Sequence, residues 1–408
     1  MAIKTKFYLF IFCFFPLFML STGTGTFRAG DANGNLEKQI LSLVDNGAVV
    51  LADKSGTDIF SFNENKTLVP ASIVKILTAH IALYKLGKHF RFQTEFYTDS
   101  LNNLLIKGMG DPYLISEEIA LIAQAFKKKG VASINRIFLD HSAFESNIAI
   151  PGISSTSNPY DALNGALVVN FNTIYVRKNQ SGKIFSAEKQ TPLTPIAKNK
   201  GQSIGNGSKE RINLSSDSKD CLQYAGELFA AILKQHGITV TSKEITSRKI
   251  SSSWNHFYTH RNSRALPEVL KGLLKYSNNF IANQLFLTIG AHEKGYPATF
   301  SKAQTVFEEY IRSTLQFDQS DLEMVEGSGI SRDTRATAVI MMQILERFRN
   351  YAPLLPVKNK ALVKSGTLSG VYNYAGYIQT PQGLRPFVIM LNQKRNTRDS
   401  ILDLLKKL

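Results

Sequence analysis

The alternation of apolar and polar positions divides the chain into three textures. Residues 35–45 have the spacing of a helix. "GAVVLADKSGTDIFSFNENKTLVP" (47–70) then reads as a β-hairpin: an apolar run, a Lys-Ser-Gly turn, an alternating run, and Pro70 as a stop. In "SIVKILTAHIALYKLG" the apolar residues Ile73, Ile76, Leu77, Leu83 and Tyr84 recur at helical spacing, and Gly87 closes the segment. From about 90 to 255 short alternating runs dominate, such as "FRFQTEFYT" and "NNLLIKG", with one helix, "SEEIALIAQAFKKKG", among them. "GALVVNFNTIYVRK" reads as a pair of strands, and the polar stretch 189–220 as exposed loops and edge strands. After 262 helices return in "RALPEVLKGLLKY", "FIANQLFLTIG", "FSKAQTVFEEYIRSTL" and "RDTRATAVIMMQILERF". Three strands follow, "KALVKSG", "VYNYAGYIQ" and "RPFVIMLNQ". The last segment, "SILDLLKKL", puts Ile401, Leu404, Leu405 and Leu408 on one face. Nine residues suit a helix packed on a sheet better than one lying on a membrane.

The simplest assembly is an α/β fold. One domain is built from both ends, 30–90 and 262–408, its sheet fed by the first hairpin and the last three strands. Residues 91–261 form a β-rich insertion, read as two small domains. No internal repeat is evident.

Composition changes this picture in three places. Of the 408 residues, 43% are hydrophobic and 20% charged, which is the balance of a chain with a large core. Residues 1–22 stand apart: two lysines precede "FYLFIFCFFPLFML", fourteen residues without a charge, followed by "STGTGT". That is a secretory signal, short for a membrane span, with an uncleaved signal anchor as the alternative. It predicts an exported protein of the periplasm or the envelope exterior. Removing the signal takes away Lys4, Lys6 and Cys13, so the net charge falls from +16 to +14 and Cys221 remains alone. No internal disulfide is then possible. A basic exported chain meets anionic surfaces, which allows peripheral membrane or wall association. Zinc-finger spacing and basic heptads are absent, which disfavours nucleic acid. The seven histidines form no HExxH or similar cluster, so a metal is not expected.

Three short segments carry candidate chemistry. In "PASIVKIL", Ser72 and Lys75 are three apart at the start of an apolar helix, hence neighbours on one face. A serine in the first turn lies near the positive end of the helix dipole. A lysine is useless as a base at its free pKa near 10.4, but burial and a neighbouring cation lower that value. The plain alternative is a surface Ser-x-x-Lys. In "LLKYSNNFIANQL", Ser277 and Asn279 lie at a polar break between two helices, able to project into a cleft or simply to cap the second helix. In "ALVKSGTLSGVYNYAGYI", Lys364, Ser365, Gly366 and Thr367 end a strand. There the lysine suits a carboxylate and the glycine lets a ligand approach the backbone, or the stretch is a plain hairpin turning at Ser369-Gly370. Each segment alone is weak. Together, in the order SxxK, SxN, K[ST]G, each on the element its task requires, they match the trio of penicillin-binding proteins and serine β-lactamases.

The chain resembles the D-alanyl-D-alanine carboxypeptidase/endopeptidase family, the class C low-molecular-mass penicillin-binding proteins. Ser277 stands 205 positions after Ser72, a gap far larger than a β-lactamase has, and that family carries an insertion there as two extra domains. "KGMGDPYL", "NPYDALNGALVVNFNTIYV" and "EGSGISRD" look like further family stretches. Departures are Ser365 for the commoner threonine, Asn278 and Glu326 for Asp, and Met109 for glycine. None removes a catalytic group.

The resemblance implies a penicillin-binding transpeptidase-like domain, an antiparallel sheet flanked by helices. It implies that Ser72 attacks the penultimate D-Ala carbonyl of a peptidoglycan stem peptide, with Lys75 as base. The N–H groups of Ser72 and Thr367 would form the oxyanion hole, where losing one donor typically costs about 2.7–4 kcal/mol. Ser277 would relay a proton to the leaving D-Ala, and Asn279 would hold the peptide amide. Lys364, Ser365, Gly366 and Thr367 would hold the terminal carboxylate or support the relay. β-Lactams would acylate Ser72 as covalent inhibitors, and no cofactor is needed. The rival readings are a serine β-lactamase or esterase of the same architecture, and a wall-binding protein with a decayed site.

Overall fold

The computed structural model describes residues 33–408; the signal at 1–22 lies outside them. Among the described residues, no helix is long and apolar enough to cross a membrane.

The two ends of the chain meet in a six-stranded antiparallel sheet. Its order is Val357–Lys358, Ala361–Leu368, Val371–Thr380, Gly383–Leu391, Gly47–Ala52 and Asp58–Phe62. The first hairpin pairs with the last strand in the register Val49↔Ile389 and Val50↔Val388. Alternation decides the two faces. Val50, Leu362, Ala375 and Val388 join the core under the helices Lys75–Leu86, Leu266–Tyr276, Asn279–Lys294 and Ala338–Phe348. Val49, Leu51, Val363 and Ile389 face the helices Asn33–Ser42 and Arg398–Leu405. The C-terminal helix therefore packs on the sheet, with Ile401, Leu402 and Leu405 buried.

Residues 91–261 make their own sheets. Five strands run in the order Ile245–Ser247, Ile137–Asp140, Leu104–Gly108, Gln93–Thr98 and Asn255–Arg261. A three-stranded antiparallel sheet joins Ile184–Ser186, Thr173–Lys178 and Lys209–Asn213. Two helices fill the core between them, Ser116–Lys128 and Ser218–Gln235. The second is an element that the pattern reading misses. Asp217 caps it, and Cys221, Tyr224, Ala225, Leu228, Phe229, Ile232 and Leu233 are buried at helical spacing. The polar run before it hid that period.

The anticipated strand pair at 165–178 is half realised. Thr173–Lys178 is a strand, but Asn170, Phe171 and Asn172 turn through left-handed backbone, with φ of 47°, 62° and 50°. The residues before them are buried without a ladder because they thread between two cores: Val168 packs in the core under the four helices on the six-stranded sheet, Leu167 and Val169 in the one filled by Ser116–Lys128 and Ser218–Gln235.

Candidate active site

Ser72 lies in the tight turn Ala71–Val74, directly before the helix Lys75–Leu86. The chain enters this turn under tension. Ala71 has φ of 48°, a left-handed conformation costly for a residue with a Cβ. The sheet holds it there. The fully buried Asn373 donates from Nδ2 to the carbonyls of Val69 at 2.9 Å and Pro70 at 2.8 Å. Asn392 Oδ1 accepts from Val69 N–H at 2.9 Å. Gly366 lets the strand Ala361–Leu368 close on the turn, since a Cβ there would sit 2.7 Å from the Pro70 carbonyl and 3.1 Å from Ser72 N. The Lys364–Thr367 stretch thus abuts the backbone of Ser72.

Lys75 is fully buried. Its Nζ is 2.8 Å from Ser72 Oγ, 2.8 Å from Asn279 Oδ1 and 2.6 Å from the Ser328 carbonyl. Two of these oxygens can only accept. A neutral amine has two N–H groups for them and one lone pair left for the Ser72 hydroxyl. Burial pushes the Lys75 pKa down to about 7, and the Glu326 carboxylate acts against that fall. Glu326 is itself fully buried and accepts from the N–H groups of Ser328 at 2.7 Å, Ile330 at 2.8 Å and Ser331 at 3.3 Å. It shapes the loop whose carbonyl holds Lys75. Gly329 takes φ of 72° in that loop, and a Cβ there would lie 2.2 Å from the Ala71 carbonyl. Sequence reading noted Glu326 only as a departure from the family pattern.

Ser277 and Asn279 both reach this centre, and the residue between them explains how. Asn278, not its neighbours, caps the helix Asn279–Lys294, its Oδ1 accepting from Ile281 N–H at 3.0 Å. Ser277 ends the preceding helix in left-handed backbone, φ 51°. The cap is satisfied, and the flanking hydroxyl and carboxamide are left for the cleft. Lys364, 1% exposed, places Nζ 2.8 Å from Ser277 Oγ and 2.6 Å from the Ser365 carbonyl. Burial, then the Lys75 and Arg398 charges, hold its pKa well below the lysine range. Ser369-Gly370 is a two-residue turn, with Leu368 paired to Val371. The strand Ala361–Leu368 is at once a hairpin arm and a wall of the site.

All eight sequence-predicted residues gather at one cleft of ≈ 730 Å³, which Ser72, Ser277, Asn279, Ser365 and Thr367 line. Its far wall comes from residues 152–161: Gly152, Ser154, Thr156, Asn158, Tyr160 and Asp161. Sequence reasoning gave no sign of that wall's place at the cleft, although Asn158, Tyr160 and Asp161 open the family-like stretch quoted above. It is docked firmly. Gly152 at φ 87° packs within a Cβ's reach of Ser331, and Asp161 accepts from Ser154 N–H at 3.0 Å. Gln284 on the helix behind Asn279 donates to the Gly165 carbonyl at 2.6 Å.

The sheet with its two helical layers and the serine–lysine pair define a penicillin-binding-type serine enzyme. The sequence model of the D-Ala-D-Ala carboxypeptidase 3 (S13) family matches residues 33–211 and 199–357. The chain belongs to that family and is a serine-type carboxypeptidase. It is 23% identical to the D-alanyl-D-alanine carboxypeptidase of Actinomadura sp. (strain R39), over 89% of this chain and 80% of that one. It is 24% identical to the penicillin-sensitive carboxypeptidase A of Dictyostelium discoideum, over 86% and 83%. Among solved structures it superposes on penicillin binding protein 4 (dacB) of Haemophilus influenzae with a TM-score of 0.72 at 20% identity, covering 91% of this chain and 98% of that one. Against the same protein complexed with a novel β-lactam the TM-score is 0.68 at 18% identity, with the same coverage.

Proposed function

We propose that Ser72 is the acyl-enzyme nucleophile of a D-Ala-D-Ala carboxypeptidase/endopeptidase acting on peptidoglycan stem peptides, and that β-lactams acylate it. The observation that carries this reading is the fully buried Lys75 amine at 2.8 Å from Ser72 Oγ, its other two partners able only to accept. Ser72 Oγ bonds to the penultimate D-Ala carbonyl carbon as its proton passes to Lys75 Nζ. The oxyanion lies against the N–H groups of Ser72 and Thr367. The C–N bond then breaks, and the departing D-Ala amine takes a proton from Ser277, which Lys364 and Lys75 resupply. Water hydrolyses the ester. Asn279 holds the peptide amide, and Lys364, Ser365, Gly366 and Thr367 take the terminal carboxylate.

Residues 91–261 act as an insertion between the halves 30–90 and 262–408 of the catalytic unit, a division their separate sheets support. The signal-like 1–22 supports export to the envelope, where the net charge of +14 left after its removal favours contact with anionic wall or lipid. Labelled penicillin is the test. A lasting adduct on Ser72 together with D-Ala release from a D-Ala-D-Ala peptide is expected. Rapid turnover of the label would make the protein a β-lactamase, and no adduct would make it a wall-binding protein.

A further inference from the structure

The C-terminal helix brings to the cleft wall a residue that none of the three motifs contains. Arg398 is its first residue, and the helix is anchored by Ile401, Leu402 and Leu405, each at most 1% exposed. Arg398 Nη1 donates to Thr367 Oγ1 at 2.7 Å and to the Gly366 carbonyl at 3.2 Å. Its guanidinium lies over the Tyr374 ring at 4.5 Å. That ring is fixed in turn: Tyr374 Oη donates to Asp399 Oδ1 at 2.9 Å, and Lys358 Nζ contacts both. Arg398 Nε is buried and has no partner among the described residues.

We propose that Arg398 is a positioning residue that presets Thr367 for a substrate's terminal carboxylate, an inference that rests on the function proposed above. A guanidinium has donors only, so Thr367 Oγ1 must accept from it. The hydroxyl hydrogen is then left to donate, and Thr367 lines the cleft beside Ser365. A carboxylate can only accept, so the hydroxyl meets it in the one orientation that binds. Without Arg398 the hydroxyl rotates freely and can turn a lone pair on the anion. Arg398 also adds positive charge behind the strand that carries Lys364. A lysine cannot replace it fully, because one ammonium lacks the planar fork that reaches two acceptors while stacked on a ring.

The test compares two substrates on the purified full chain: a peptide ending in D-Ala-D-Ala carboxylate, and the same peptide amidated at its C-terminus. For R398Q we expect KM for the carboxylate substrate to rise about tenfold with kcat within about twofold, while kcat/KM for the amide is unchanged. R398K should fall between R398Q and wild type. Equal losses on both substrates, or no loss on either, would overturn the proposal, as would full recovery in R398K. Should R398Q not fold, R398K alone decides, since its loss must still be confined to the carboxylate substrate. A wild-type chain that releases no D-Ala and takes no penicillin label removes the underlying reading. A wild-type chain that does both, beside Arg398 variants that do not discriminate, removes only this proposal.

Discussion

Two clusters among the described residues bury a carboxylate near a basic side chain, and the first of them adjoins the cleft. At the first, Glu326 and Lys75 are fully buried, but Lys75 touches Ser72, which lines the cleft. At the second, Glu118 is 1% exposed and His260 4%. Glu118 Oε2 is 2.8 Å from His260 Nε2, and Oε1 accepts from Arg264 at 2.9 Å. Asp111 lies near them, accepting from Asn262 Nδ2 at 2.8 Å, its carboxyl pushed up to about 6 by burial. Judged by perturbation alone, both clusters look functional. What separates them is access. In the second, each of Glu118's oxygens has its partner. In the first, one of the three oxygens around Lys75 Nζ is the Ser72 hydroxyl that lines the cleft, and a neutral amine can meet the two pure acceptors while turning its lone pair to that hydroxyl.

Several substitutions sharpen or break that contrast. Ser72→Ala and Lys75→Ala should each lower D-Ala release by about 10⁴-fold or more and abolish penicillin labelling while the thermal unfolding midpoint is kept. Labelling that survives in Ser72→Ala would end the assignment. Glu326→Gln comes next. It removes a charge and one acceptor from the loop that holds Lys75, and displacement there should cost about 100-fold in kcat/KM. Its pH profile carries a sign. Lys75 works when neutral, so kcat/KM rises as pH passes about 7. Glu326 holds that pKa up, so losing its charge should move the acid limb to lower pH; a limb that stays put would separate Glu326 from Lys75.

Glu118→Ala should show the opposite pattern. It strands His260 and Arg264, so urea unfolding should report a loss of about 3 kcal/mol, with acylation by the folded fraction unchanged. Burial raises the Glu118 pKa, but the hydrogen bonds from His260 and Ser263 outweigh it and hold the carboxyl below its ordinary value. The stability from Glu118 is therefore present above about pH 4.3 and lost as pH falls through the folded value. A wild-type chain as stable at pH 3 as at pH 6 would contradict this. The smallest effect concerns Cys221. It is 4% exposed, and burial pushes its thiol up to about 12. A thiol reagent should leave the native chain unmodified and react once it is denatured.

The contrast also marks what the sequence could reveal. Ser72, Lys75, Ser277, Asn279 and Lys364 are legible because the chemistry proposed for them restricts both residue type and spacing. The sheet and its helices are legible because alternation and helical period survive in the apolar positions. Asn373, Glu326 and Arg398 are not legible. They act on backbone carbonyls, backbone N–H groups and a single threonine hydroxyl, tasks that many polar residues can perform at no fixed interval. The wall at 152–161 is hidden for a related reason, since it joins the cleft through backbone packing of Gly152 on Ser331. The helix Ser218–Gln235 had a readable period, masked by the Ser/Asp-rich run before it.

The clamp on Val69 and Pro70 has a consequence in time. Asn373 and Asn392, which hold the turn before Ser72, stand some three hundred positions after it, and Arg398 follows both. Loops of that length close late. A chain folding as it emerges would expose an unarmed serine until its final strands arrived, so the enzyme would acquire its activity as the closing act of its own folding.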